Sequence, residues 1–271
     1  FLIFKPKPVF ADSTIGFNEG YGTTVNDNNG NISGSVVGAD WISADMCKAG
    51  SCLFFDGSTD RLNFGDAASA NFAASDNFTI EGWFRTADIT SGTHVLAVKY
   101  NANSGTDGGW KVYLDSNGYL IFGIDDDQTS FPEDSVSTTA TSFDDNEWHF
   151  FSAVKSGTTS ITIYVDGIQY ATDSSISATG SLSNTDGFNV AIDGDHGSNR
   201  FKGFLDEFAV RSSARSTAEV KTDMAAIESA VAVFGPDQSH LSNGLVGYWK
   251  TDEIAANTCS GGTNDACDSS G

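Results

Sequence analysis

Two carboxylates on one face of a strand, about 5 Å apart, are what retaining glycoside hydrolysis requires, one acting as acid and the other as nucleophile. Acidic residues at alternate positions of a strand, as in a Glu-x-Asp-x-Glu run, would share such a face. The chain has no such run. Ile124-Asp125-Asp126-Asp127 and Leu205-Asp206-Glu207 come nearest, and both lack the flanking glutamates. The histidines, His94, His149, His196 and His240, fall in no nucleophile-and-base arrangement. His149 reads as a strand residue. These residues point away from an enzyme.

Binding chemistry fits better. A formal net charge of -22 and a pI near 4.1 argue against a nucleic-acid partner, because phosphate binding needs clustered Lys and Arg. The same charge argues against an anionic membrane surface, and no run approaches the ~20 apolar residues of a membrane span. The acidity serves solubility, or some acidic loops hold a hard cation such as calcium, which takes oxygen ligands. Asp193-Gly194-Asp195-His196-Gly197-Ser198-Asn199 looks like a calcium loop, but its Gly falls one place early and its twelfth position is Phe204. It reads as an acidic rim loop. A carbohydrate site needs an exposed aromatic platform beside polar groups. Trp41 and Trp110 are the candidates, with Asp- and Asn-rich loops nearby, although a tryptophan in a β sandwich more often fills the core. The cysteines form two local pairs, Cys47/Cys52 and Cys259/Cys267, and disulfides within each pair suit an oxidising compartment. Zinc is the rival reading, but neither pair has a His nearby or zinc-knuckle spacing.

The elements that must carry these residues are strands. Glu147 to Tyr170 alternates Trp148, Phe150 and Val154 against His149, Phe151 and Ala153, then Ile161, Ile163 and Val165 against Thr162 and Tyr164. A period of two is strand geometry, and Asp166-Gly167 supplies the positive φ angles of a tight turn, so a three-strand meander is expected. Phe78–Arg85, Val95–Tyr100, Trp110–Leu114, Tyr119–Ile124, Phe188–Ile192 and Phe201–Val210 are further strands, with a hairpin at Asp115-Ser116-Asn117-Gly118. Ser13 to Gly38 carries only a weak signal, and Asp125 to Asp144 reads as a long acidic loop. The period changes at Val220, Met224, Ile227 and Val231, which recur at helical spacing behind a Ser216 or Thr217 N-cap. Short strands followed by one helix, in a chain with Gly 29 and Pro 4, describe an all-β, two-sheet antiparallel sandwich.

The ends are read separately. Residues 1–11, FLIFKPKPVFA, look like the tail of a signal peptide cut after Val9-Phe10-Ala11, or else an edge strand or disordered leader. Residues 12–234 form the sandwich domain and 235–245 a linker. Thr14–Glu19 aligns onto Tyr248–Glu253, and Asp27-Asn28-Asn29-Gly30 onto Asp268-Ser269-Ser270-Gly271. Residues 246–271 therefore read as the start of a second, truncated copy, which implies tandem modules. The rival reading is a last strand of the first domain.

With these pieces placed, FDGSTDRLNFG (55–65), NFTIEGWFRT (77–86), GGWKVYLDSNGYLIFGI (108–124), DNEWHFFSAV (145–154), IYVDGIQYA (163–171) and FKGFLDEFAVRSSARSTAEV (201–220) resemble, in family order, the laminin-G-like, concanavalin A-like lectin/glucanase jelly-roll modules. The resemblance implies two antiparallel sheets packed face to face and a secreted binding module. It also implies a structural calcium ion held by Asp206, with carbonyls from Gly57 and near Glu19, and Asp27 as a further ligand. The reading that follows is an extracellular or cell-surface, non-catalytic module that binds a glycan or an extracellular protein, beside further modules of the same chain. An accessory binding domain of a larger secreted glycoside hydrolase or other hydrolase is the alternative, and a structural spacer in a surface array is a third.

Overall fold

The computed structural model describes residues 12–30, 32–87, 89, 92–100, 108–127, 131–139, 141–193 and 199–230, with the side chains of 227–230 excepted. The 1–11 leader, the 235–245 linker, the 246–271 partial repeat, His196, His240, Cys259 and Cys267 lie outside the described residues.

In chain order the strands are β1 (Ser13–Ile15), β2 (Thr24–Asn26), β3 (Ser33–Val37), β4 (Asp40–Ile42), β5 (Cys52–Asp56), β6 (Arg61–Asn63), β7 (Phe78–Arg85) and β8 (His94–Lys99). They continue as β9 (Gly109–Leu114), β10 (Leu120–Asp125), β11 (Asp134–Ser137), β12 (His149–Ser156), β13 (Ser160–Val165), β14 (Ile168–Asp173), β15 (Asn189–Val190) and β16 (Lys202–Arg211), before helix α1 (Thr217–Ala230). One eight-stranded sheet runs β14-β13-β12-β7-β16-β5-β4, with β1 also on β16. The other runs β11-β10-β9-β8-β15-β6-β3-β2. Every recorded pairing is antiparallel. This is the two-sheet jelly-roll sandwich that the alternation predicts.

The core lies between the sheets. Phe151 and Ala153 from β12, with Ile161, Ile163 and Val165 from β13, point into it, while Phe150 and Val154 point outward, as the period of two requires. Those outward residues are covered by α1: Val220 and Met224 pack with Trp83, Phe150, Val154 and Tyr164. The helix begins at the expected place. The Ser216 N–H donates to Glu219 Oε2 at 2.8 Å and Ser216 Oγ accepts the Glu219 N–H at 3.4 Å, which forms a capping box. Asp166 and Gly167 take φ of 51 and 71°, the left-handed pair that turns β13 into β14.

Three segments differ from the sequence reading. The expected acidic loop contains β11, which pairs with β10 and carries a single apolar residue, Val136, too little for a visible period. The expected strand at 188–192 shortens to Asn189–Val190, because Ala191 turns left-handed at φ 68°. The weak N-terminal stretch holds β1, β2 and β3. Two of them have only three residues, so ladder pairing rather than hydrophobic pattern defines them.

Candidate functional site

β1 and β16 stop pairing at Ile15 and Phe208. Just beyond, Phe17 and Glu207 both adopt positive φ, 49 and 48°. The buried Phe17 ring anchors the following segment in the core. Asn18 then hydrogen-bonds the Glu207 carboxylate; burial pushes that carboxyl's pKa up and Asn18 restrains it. Glu19 Oε1 accepts the Asn26 N–H at 2.8 Å and its carboxamide at 3.3 Å, so the outgoing and returning arms of the loop are braced together. Between the arms lies a cleft of about 260 Å³ lined by Gly16, Phe17, Asn18, Glu19, Asn26 and Asn28. Tyr21 follows at the tip, 81% exposed, between Gly20 and Gly22 at φ 66 and 92°. Trp41 on edge strand β4 is half-buried and donates its Nε1–H to the Gly22 carbonyl at 2.8 Å.

The disulfide turn forms the neighbouring wall. Cys47 and Cys52 are bonded, with Cα atoms 5.5 Å apart, as the local pairing predicts. Within the turn, the N–H groups of Lys48 and Ala49 both donate to Asp206 Oδ2 at 2.9 Å, and the Glu207 N–H donates to Oδ1 at 2.9 Å. Lys48 Nζ sits 3.8 Å above the Trp83 ring. Asp206 is fully buried, and burial pushes its carboxyl up to about 8 against the pull of these donors. Gly50 meets the cleft directly: at φ 57°, any side chain there would coincide with the Asn18 carboxamide.

This geometry spreads the residues of the expected calcium set over separate places in the fold. Asp206 is the clasp of the disulfide turn, taken up by three backbone donors. Gly57 is at the opposite end of the β5–β16 ladder, where Lys202 pairs with Asp56; at about 3.3 Å per residue it lies roughly 15 Å from Asp206. Asp27 Oδ1 accepts the N–H groups of Thr14 and Asn29 at 2.9 and 3.1 Å and holds the loop base. Glu19 is the only one of the four that lines the cleft. Trp110 requires correction as a sugar platform. It is fully buried among Phe72, Phe78 and Phe188, with its Nε1–H given to the Ala70 carbonyl at 3.1 Å.

Among the described residues, two trios of metal-ligating side chains converge within 4.8 Å. The first, Cys47, Cys52 and Asp206, has its sulfurs committed to the disulfide. The second, Asp125, Asp127 and Glu133, was not foreseen as a group, because the return from β10 to β11 brings Glu133 back beside the end of β10. Burial pushes the Glu133 carboxyl up, and the neighbouring Asp126 pushes it the same way. His149 has both ring nitrogens committed, to Asp166 Oδ2 at 2.8 Å and Asp145 Oδ1 at 3.0 Å. Burial lowers its pKa, but the two carboxylates outweigh that and hold it above the ordinary value. Its partners tie the start of β12 to the β13–β14 turn.

A family model described as the concanavalin A-like lectin/glucanases superfamily matches residues 56–221. No curated protein matches the sequence. Among solved structures, the binding domain of Paraclostridial mosquitocidal protein 1 is similar at a TM-score of 0.62 and 20% identity, over 78% of this chain and 50% of that one. A botulinum neurotoxin type C structure, titled for cell entry dependent on interaction with two ganglioside molecules, is similar at 0.60 and 16%, over 81% and 52%. Domain 4 of AbnA, an extracellular arabinanase from Geobacillus stearothermophilus solved with arabinotriose, is similar at 0.57 and 14%, over 78% and 96%. The chain spans about half the length of the toxin chains it matches. At these identities the likeness is one of fold.

Proposed function

This chain belongs to the concanavalin A-like lectin/glucanases superfamily, and from that premise we propose that it is a non-catalytic, extracellular or cell-surface module that binds a glycan. The observation that carries the reading is the Gly16–Asn28 edge. An exposed Tyr21 and a half-buried Trp41 stand there beside a cleft walled by carboxamides and one carboxylate. Aromatic faces with adjacent polar groups are what a sugar needs, since its ring offers an apolar face and a rim of hydroxyls. The arabinanase domain solved with arabinotriose points the same way. The Cys47–Cys52 disulfide fits an oxidising compartment. No helix among the described residues is long and apolar enough to cross a membrane.

A calcium ion belongs to this reading only through Asp125, Asp127 and Glu133, whose oxygens are close enough to share one. A second reading, an accessory domain of a secreted glycoside hydrolase, is favoured by the match over 96% of the arabinanase domain. Tandem modules would act in either setting by multivalency. An array of immobilised glycans, probed with and without calcium, tests the proposal. Binding to a defined glycan supports it, and uniform silence in both conditions sinks it in favour of a spacer or a protein partner.

A further inference from the structure

The cleft also carries a statement about which sugars it takes, and this rests on the glycan-binding reading. Glu19 Oε1 is occupied by Asn26, but Glu19 Oε2 is out of water and no donor among the described residues reaches it. A buried acceptor left without a donor is costly, so the site calls for a ligand that donates a hydrogen bond. The other polar groups lining the cleft are the carboxamides of Asn18, Asn26 and Asn28, which both donate and accept. No Lys or Arg lines it. Glu207 reaches the same wall beside Gly16, within 3.3 Å of where a side chain there would begin. A carboxylate or sulfate entering this cleft would face Glu19 and Glu207 without a countercharge, on a chain whose net charge is -22.

A neutral sugar has the opposite properties. Each hydroxyl donates once and accepts twice, which matches one carboxylate flanked by carboxamides. The cleft volume of about 260 Å³ is below the ~300 Å³ where pockets for drug-sized ligands begin, and so suits one sugar residue. Tyr21 is then free to stack on a neighbouring residue of the same glycan. Gly20 and Gly22, themselves at φ angles that side-chain-bearing residues rarely adopt, hold it at the tip.

We propose that the Gly16–Asn28 cleft binds a single residue of a neutral saccharide through a hydroxyl donated to Glu19, with Tyr21 stacking beside it, and that it rejects acidic sugars. The test prints neutral oligosaccharides, arabinotriose among them, next to sialylated and sulfated counterparts. Calorimetry then measures the best neutral ligand on the wild type, Tyr21→Ala and Glu19→Gln. The expected result is binding to a neutral glycan that the acidic counterpart lacks and that changes little with salt. Each substitution should weaken it about tenfold. Melting curves of the variants keep loss of the site apart from loss of the fold, and Tyr21→Ala, at an exposed tip, should melt with the wild type. Neutral binding undiminished in both variants overturns the cleft but leaves the glycan-binding reading standing. Preference for the acidic glycans overturns the selectivity. No binding to any glycan overturns both.

Discussion

Replacing Asp206 by Asn should change how stability depends on pH. Asp206 is fully buried, and its carboxyl is held at about 8, against ~3.9 in an unfolded chain. The folded protein therefore keeps this proton over a range in which the unfolded chain has already released it. Stability from this group is fullest below pH 4, falls as pH rises toward 8 and is level above that. At ~1.36 kcal/mol per pH unit, the fall between pH 5 and pH 8 has a ceiling of about 4 kcal/mol. The N–H groups of Lys48, Ala49 and Glu207 favour the anion, and their pull is already contained in that value. Glu81, pushed by burial up to about 7 beside Arg211, titrates in the same window, so the wild-type slope alone does not isolate Asp206. The difference between wild type and Asp206→Asn does. The variant keeps an oxygen for Lys48 and Ala49 but turns an NH₂ toward the Glu207 N–H, costing about 1 kcal/mol at pH 5. Urea unfolding at pH 5 and pH 8.5, with the disulfide intact, should show that deficit shrinking or reversing at the higher pH. Parallel profiles for the two proteins would refute the reasoning, because they would mean that Asp206 is ionised throughout and held by its donors alone.

Three further outcomes follow from the same geometry. Cys47→Ser with Cys52→Ser opens a short loop and should cost about 2 kcal/mol in urea unfolding by the loop-entropy relation; no change would show that the Asp206 clasp alone orders the turn. Gly50→Ala, at φ 57° and against the Asn18 carboxamide, should cost about 1–3 kcal/mol and reduce glycan binding along with stability; intact binding would separate the turn from the cleft. Chelator should lower the melting temperature only if Asp125, Asp127 and Glu133 hold calcium, and Asp127→Asn should then abolish the shift; an unchanged curve removes calcium from the protein's stability.

The fold was legible because its central strands repeat a signal that burial imposes. In β12 and β13 each apolar side chain that the alternation sends inward is in the core, and the turn between β13 and β14 was readable from Asp166-Gly167. The edges were not legible, because β2 and β11 have one buried apolar residue each and owe their form to a neighbour's backbone. The site was harder again. Asp206 meets Ala49 across 157 residues, and the cleft arises where Phe17 and Glu207 turn left-handed side by side, which no local pattern announces. The two tryptophans show which part of the signal was present and unused. Trp110 alternates in phase with Val112 and Leu114, the inward set of β9, so its parity already placed it in the core. Trp41 lies in a three-residue edge strand with no such set around it. An aromatic out of phase with any inward-facing run, near glycines that reverse the chain, is therefore the better guide to a surface platform than the residue type itself. Tyr21, between Gly20 and Gly22, satisfies that rule more fully than either tryptophan.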